Sequence, residues 1–294
     1  MKKILLFAVL LVTSEAIAQQ SSNPLPYFTY GKGLGITSPD SLFMLNIRFR
    51  IQNRAAFKTE SGDDLSIEEV EARIRRLRLR LDGFIYTPKL TYVIQLAFSR
   101  GDLDYDDTGF PNVIRDAMVF YNFNKNFTLG LGQTKLPGNR QRVNSSGDLQ
   151  LPDRSIVNST FNIDRDFGLQ AYYNNKIGKF GYVLRAAISS GEGRNFNSSD
   201  NGLAYTGRVE LLPFGFFTNN GDYFEGDLAR EKTPKISMAV SYSDNENAIR
   251  TGGQLGKFLF ESRDIHTNMI DFLFKYRGWA FAAEYIKRNS INPI

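Results

Sequence analysis

Arginines in two short stretches carry the clearest chemical signal. Arg76, Arg78 and Arg80 alternate with Leu77, Leu79 and Leu81, and Arg48 and Arg50 fall at the same spacing among Ile47, Phe49 and Ile51. A guanidinium is weakly hydrated and permanently charged, and its planar fork of donors matches phosphate or carboxylate oxygens. A row of such groups along one face of an extended chain is an electrostatic track for anions. The same row is compatible with ion pairs to Glu68, Glu69, Glu71 and Asp82 and no transport role. A second group of charges lies between Lys135 and Asp166: Lys135, Arg140, Arg142, Arg154 and Arg165, with Asp148, Asp153, Asp164 and Asp166. Connections of that length are usually functional or disordered. In a barrel this one can fold into the bore and constrict it; otherwise it is an external loop.

Other chemistry is poorly supported. The chain has no Cys and one His, His266. This removes disulfides, thiol catalysis and Cys- or His-rich metal sites. No G-x-S-x-G nucleophile elbow is present. We therefore expect no enzyme, cofactor or metal. A nucleic-acid partner is not expected either, because no stacking aromatics are interleaved with the basic run. Hydrophobic residues make up 42 %, aromatic 13 % and charged 23 % of the 294 residues, a mix that excludes a disordered chain.

The elements that must hold these arginines have a period of two. Phe43, Leu45, Ile47, Phe49 and Ile51 face one side of an extended chain, and Asn46, Arg48, Arg50 and Gln52 the other. The segment around Arg76 has a competitor: Val70, Ile74, Leu77 and Leu81 also fit a helical face. Gly83, then Phe84 to Tyr86 and Pro88, favour a strand starting near Arg73, with a register break at Arg75-Arg76. Further strands are expected at 90–99, 113–124, 127–134, 167–175, 180–189, 203–212, 235–242, 267–276 and 279–286. That makes eleven, plus a weak one at 30–37. Tight turns (87–89, 124–126, 176–179, 277–278) alternate with long connections (58–69, 101–112, 135–166, 190–202, 244–266). Such alternation belongs to an all-β, antiparallel up-and-down transmembrane barrel, with apolar residues toward lipid and arginines toward a wet lumen. The competing arrangement is a soluble sandwich with an apolar core and arginines in bulk water.

Residues 1–18 have the form of a secretory signal: Lys2 and Lys3, the apolar run Ile4 to Val12, and Ala16-Ile17-Ala18 before the cut. The run is too short to cross a bilayer as a helix. The remaining residues, 19–294, form one expected barrel domain.

Several stretches resemble the phosphate-selective porin O and P family. They are Arg75 to Gly83; Arg115-Asp116-Ala117 leading into Val119-Phe120-Tyr121; Leu131 to Gly138, with Asp153 to Asn158 and Asp164 to Gln170; Arg208 to Phe214; and Phe274 to Gly278, with Ala283-Glu284-Tyr285. The resemblance covers roughly residues 30–288. It implies a 16-stranded outer-membrane barrel, trimeric, embedded in outer-membrane lipid and passing small anions such as phosphate by diffusion. Lumen arginines, here Arg48, Arg50, Arg76, Arg78 and Arg80, and an inward loop carrying Lys135, Arg140, Arg142, Arg154 and Arg165, would line the path. The sequence departs from the family at its end, where about four strands and a terminal aromatic strand are not found. This suggests a porin domain incomplete at the C-terminal side. Two other functions stay open at this point: a periplasmic or outer-membrane β protein that binds an anion without conducting it, and a truncated porin without activity.

Overall fold

The R-L-R-L-R-L segment is extended along its whole length. In the computed structural model, which describes residues 27–29, 33–103, 111–196, 202–254 and 256–291, it lies within a strand running Ile67–Ile85. Thirteen strands follow in chain order: β1 Tyr27–Thr29, β2 Gly33–Thr37, β3 Phe43–Thr59, β4 Ile67–Ile85, β5 Thr87–Ala97, β6 Ile114–Asn122, β7 Phe127–Lys135, β8 Arg165–Ile177, β9 Phe180–Ser189, β10 Ala204–Leu212, β11 Lys235–Gln254, β12 Phe258–Tyr276 and β13 Trp279–Ser290. They form one sheet in sequence order, with neighbours antiparallel. The expected signal segment, residues 1–18, lies outside the described residues, as does Tyr30 at the start of the expected weak strand. No helix among the described residues is long and apolar enough to cross a membrane.

The helical alternative for 68–81 fails because β4 has a partner throughout: Arg80 pairs with Arg48, Leu79 with Phe49 and Glu69 with Lys58. The strand starts at Ile67, earlier than the alternation indicated. The register shifts opposite Gln52 and Asn53, leaving Arg75 as the extra residue. This bulge lets Ile74 and Leu77 both face outward while Arg75 and Arg76 both face inward.

Two long connections are shorter than expected. β3 and β4 continue to Thr59 and from Ile67, and β11 and β12 run to Gln254 and from Phe258. Beyond an apolar belt both faces of a strand meet water, so the hydropathic period disappears although pairing continues, as in the cross-strand ion pair Lys58–Glu68 at 2.8 Å. The turn expected at 87–89 lies instead at Tyr86, which has φ 63°. Pro88, with no N–H to give, falls in the irregular step between Ile85↔Thr87 and Phe84↔Thr91. The connection 213–234 was not among the expected long ones. It leaves from the end of the sheet that otherwise carries tight turns.

The sheet is rolled. Flat, β3 and β13 would stand roughly 48 Å apart at about 4.8 Å per strand. Yet Gln141 N–H donates to Glu284 of β13 at 2.6 Å, and Ser146, five residues on, accepts from Arg50 of β3 at 2.9 Å. The two strands therefore curve around the loop 136–164, which occupies the interior. Among the described residues no ladder joins β13 to β1.

Burial is inverted relative to a soluble sandwich. Among the described residues 32 polar or charged residues are buried against 14 apolar ones, while Phe49 is 61 % and Val240 57 % exposed. Outward apolar positions on β3 from Phe43 to Ile51 span roughly 27 Å along the strand, or about 20 Å once tilted, close to the ~25 Å apolar band of an outer-membrane barrel. Phe98, Phe57 and Tyr242 near one end, and Tyr86, Phe123 and Trp279 near the other, are exposed aromatics of the kind that girdle such a band.

Candidate functional site

The inward face of β4 meets the loop 136–164 across a cavity of about 370 Å³. β4 supplies Arg76, Arg78 and Arg80 at alternate positions, because period two returns every second side chain to the same face. β6 adds Arg115 and Asp116, β7 Thr134 and Lys135, β8 Arg165, and the loop Arg142, Ser145, Ser146 and Arg154. Arg194, from the connection between β9 and β10, closes one side. Nine cationic side chains thus face two lining carboxylates, Asp102 and Asp116.

Each carboxylate holds a specific pair. Asp102, in the one-turn helix Arg100–Leu103, accepts from Arg78 Nε at 3.1 Å and Nη2 at 2.9 Å, and from Arg115 Nη1 at 2.7 Å. Burial alone would push its carboxyl up, but Arg115 and Arg78 outweigh that and hold it below the usual range. Asp116 accepts from Arg165 at 2.9 and 3.2 Å and from the Thr134 hydroxyl at 2.9 Å. Behind the lining, Asp164 accepts from Arg142 Nε at 2.7 Å and from Arg165 Nη1 at 3.2 Å. It is fully buried, yet the two guanidiniums hold its carboxyl well below the ordinary value.

Arg80 Nε pairs with Asp82, outside the lining, at 3.0 Å, and three further cations rest on neutral acceptors. Lys135 Nζ donates to the Val143 and Asn144 carbonyls, both at 2.8 Å. Arg154 donates to the Gln141 carbonyl at 2.7 Å and the Asn144 carbonyl at 2.8 Å. Arg76 donates to Gln52 Oε1 at 3.0 Å. Burial, then the charges of Arg142 and Arg76, push the Arg154 guanidinium down. Its charge is therefore costly here, chiefly because it is buried without a carboxylate partner of its own. At about 4 Å and an effective dielectric near 20, each guanidinium attracts a monovalent anion by about 4 kcal/mol before desolvation is counted.

Of the residues singled out from sequence, Arg76, Arg78, Arg80, Lys135, Arg142, Arg154 and Arg165 converge on this cavity. Arg50 stands beside it, donating to Ser146 Oγ at 2.9 Å, and Arg48 pairs with Asp82 further along β3. Arg140 points elsewhere, into a buried group on β10–β12 with Glu210 and Asp271. Arg115, Asp116, Asp102 and Arg194 were not among the chosen site residues. The adjacent Arg115-Asp116 in a strand was a visible signal. Asp102 and Arg194 come from aperiodic connections that offered none.

An apolar outer belt around an inward, charged and partly plugged lumen is the construction of a transmembrane β-barrel. The family model for phosphate-selective porin O and P matches residues 45–290, and the chain belongs to that family. No curated protein matches it. The family is one of outer-membrane channels.

Proposed function

We propose that this protein is an anion-preferring diffusion channel of the outer membrane, water-filled and passing phosphate or other small anions, assembled as a trimer in outer-membrane lipid. The observation that carries this reading is the cavity itself: nine cations and two carboxylates line about 370 Å³, and counting Asp82 and Asp164, which pair with Arg80, Arg142 and Arg165 from outside the lining, cations still exceed carboxylates. Arg76, Arg78 and Arg80 with Arg48 and Arg50 form the wall of the path. The loop 136–164, carrying Arg142 and Arg154, narrows it, with Lys135 and Arg165 on the strands at its two ends. Family membership supports the channel class, and the charge excess supports the sign of the permeating ion.

The test is planar-bilayer reversal potential in phosphate and chloride gradients, for the native chain and for Arg76→Gln/Arg78→Gln/Arg80→Gln. The native chain should prefer anions, and the triple variant should lose a large part of that preference. Cation selectivity in both forms would overturn the proposal. Saturable phosphate binding with no conductance would instead indicate an anion-binding β protein.

A further inference from the structure

The one-turn helix Arg140–Val143 carries Arg140 and Arg142 two residues apart, which at about 100° per residue places them on opposite sides. Arg142 joins the anion cavity. Arg140 reaches the other wall. Its Nη2 donates to Glu210 of β10 and, at 2.8 Å, to Ser237 Oγ of β11; its Nε donates to Asp271 of β12 at 3.2 Å; its Nη1 donates to the Asp222 carbonyl at 3.3 Å. Arg208 completes the group, with Nη2 at 2.9 Å from Asp271 Oδ1 and 3.2 Å from Glu210. Two guanidiniums and two carboxylates, each side chain under 5 % exposed, form a tetrad, and the Asp222 carboxylate stands beside it, 3.8 Å from Arg140 Nη1.

We propose that Arg140 is the positioning residue of the anion cavity: a latch that fixes the loop to β10–β12 and so sets where the loop's donors and carbonyls stand. The connection runs through few atoms. The carbonyls that hold Lys135 belong to Val143 and Asn144, at the C-terminal end of the latched helix. Ser146, two residues further, accepts from both Arg50 and Arg78 at 2.9 Å. On the opposite side Gln141 N–H is held by Glu284. Releasing Arg140 removes the helix's own tie to β10–β12, leaving the Gly138 carbonyl held by Arg208 Nη1 at 3.1 Å just before it, and so loosens the contacts that place Lys135 and seat Ser146 between the wall arginines. The effect on ion passage rests on the channel reading above; the effect on loop position does not.

The chain has no Cys, so a single thiol reports cleanly. Asn144 is 3 % exposed and its side-chain oxygen has no partner, so Asn144→Cys removes little. The experiment compares labelling of the Asn144→Cys thiol by a small charged methanethiosulfonate, in the full chain in detergent, alone and with Arg140→Met/Glu210→Gln. The double substitution removes one charge of each sign, so any change reports position rather than a new buried charge. Labelling should accelerate on the order of tenfold or more, because the loop opens locally. In bilayers the same pair should raise single-channel conductance roughly twofold and lower anion preference, as a wider bore with displaced donors requires. Arg140→Lys, which keeps the charge but loses the fork, should fall between, and it serves as the readout should the double variant not give a heat-modifiable barrel. Unchanged labelling in whichever of these variants folds overturns the latch. Accelerated labelling in a protein without anion preference leaves the latch standing and rejects the channel reading.

Discussion

Asp102→Asn isolates the role of a carboxylate inside a cation-rich cavity. The Asp102 side chain is 12 % exposed and lies between Arg78 and Arg115, at 9 % and 8 %. Removing one member of a buried ion pair leaves an uncompensated charge and costs about 3–5 kcal/mol. Asparagine keeps one acceptor oxygen for Arg78, so the lower end, about 3 kcal/mol, applies. For a chain of this size that is a fall of roughly 6–12 °C in the heat-modification midpoint. The vacated negative charge is also where a free anion can enter. Phosphate at a hundred times its dissociation constant returns about 2.7 kcal/mol, so it should restore most of the loss. The assay is the temperature at which the folded gel band disappears, with and without phosphate at constant ionic strength, for native and variant protein. The phosphate-induced rise should be clearly larger in the variant; equal rises in the two would refute the reasoning. Acid gives a second arm. The folded Asp102 carboxyl is depressed below its ordinary 3.8, so its stabilisation is present above that value and lost as pH falls through the depressed one. Native protein should lose this component below about pH 4, and the variant should lack it.

Leu79→Arg places a charge on the outward face of β4 and should cost about 2–4 kcal/mol near the middle of the apolar belt, measured as the fraction folded in lipid vesicles across a urea series. A near-neutral result would mean that this face does not meet hydrocarbon. Gly132→Ala should prevent normal assembly of β6–β7: φ is +130° and a Cβ would lie 2.2 Å from the Ala117 carbonyl oxygen. The expected cost is at least about 1–3 kcal/mol, and folded yield at several temperatures checks it. Lys275→Met should loosen the connection 213–234, because Lys275 Nζ donates to the carbonyls of Gly221, Phe224 and Gly226 at 2.6–2.7 Å. Three carbonyls would lose a charged donor, at about 1–3 kcal/mol for each left unsatisfied. Limited proteolysis should then cut within 213–234, and native-like resistance would contradict this.

The parts legible in the sequence are those written in a local period. Strand β3 and the second half of β4 follow from alternation alone, and so does the facing of Arg48, Arg50, Arg76, Arg78 and Arg80. The polar ends of β3–β4 and β11–β12 were not legible, since a strand wet on both faces has no hydropathic period. The loop 136–164 showed its charges but not their destinations. Arg140 and Arg142 look equivalent in sequence. Only contacts with Glu210 and Asp271, distant in the chain, separate a residue facing the cavity from one facing the opposite wall. Asp102 and Arg194 were missed for the same reason: pairing across long sequence separations leaves no trace in spacing.

The two walls of the lumen differ in a way that bears on transport. An anion must bind strongly enough to enter and weakly enough to leave. Nine cations alone around about 370 Å³ would trap a phosphate. Asp102 and Asp116 in the lining, and Asp82 and Asp164 behind it, draw off part of that attraction while keeping the guanidinium forks aligned. On the β10–β12 side Arg140 and Arg208 are matched by Glu210 and Asp271, with Asp222 also 3.8 Å from Arg140, so that group has no positive excess to hold a passing anion. On the proposed channel reading, the favourable route is thereby confined to the arginine-bearing wall of β4 and β6–β8. On the channel reading, Glu210→Gln alone, which removes one of the three carboxylates around Arg140 and Arg208 and leaves Asp222 and Asp271, should lower the repulsion that the far side presents to an anion. Anion preference should hold or rise while phosphate leaves more slowly, seen as longer phosphate block of the chloride current. Unchanged block durations would mean that ions do not sample that wall.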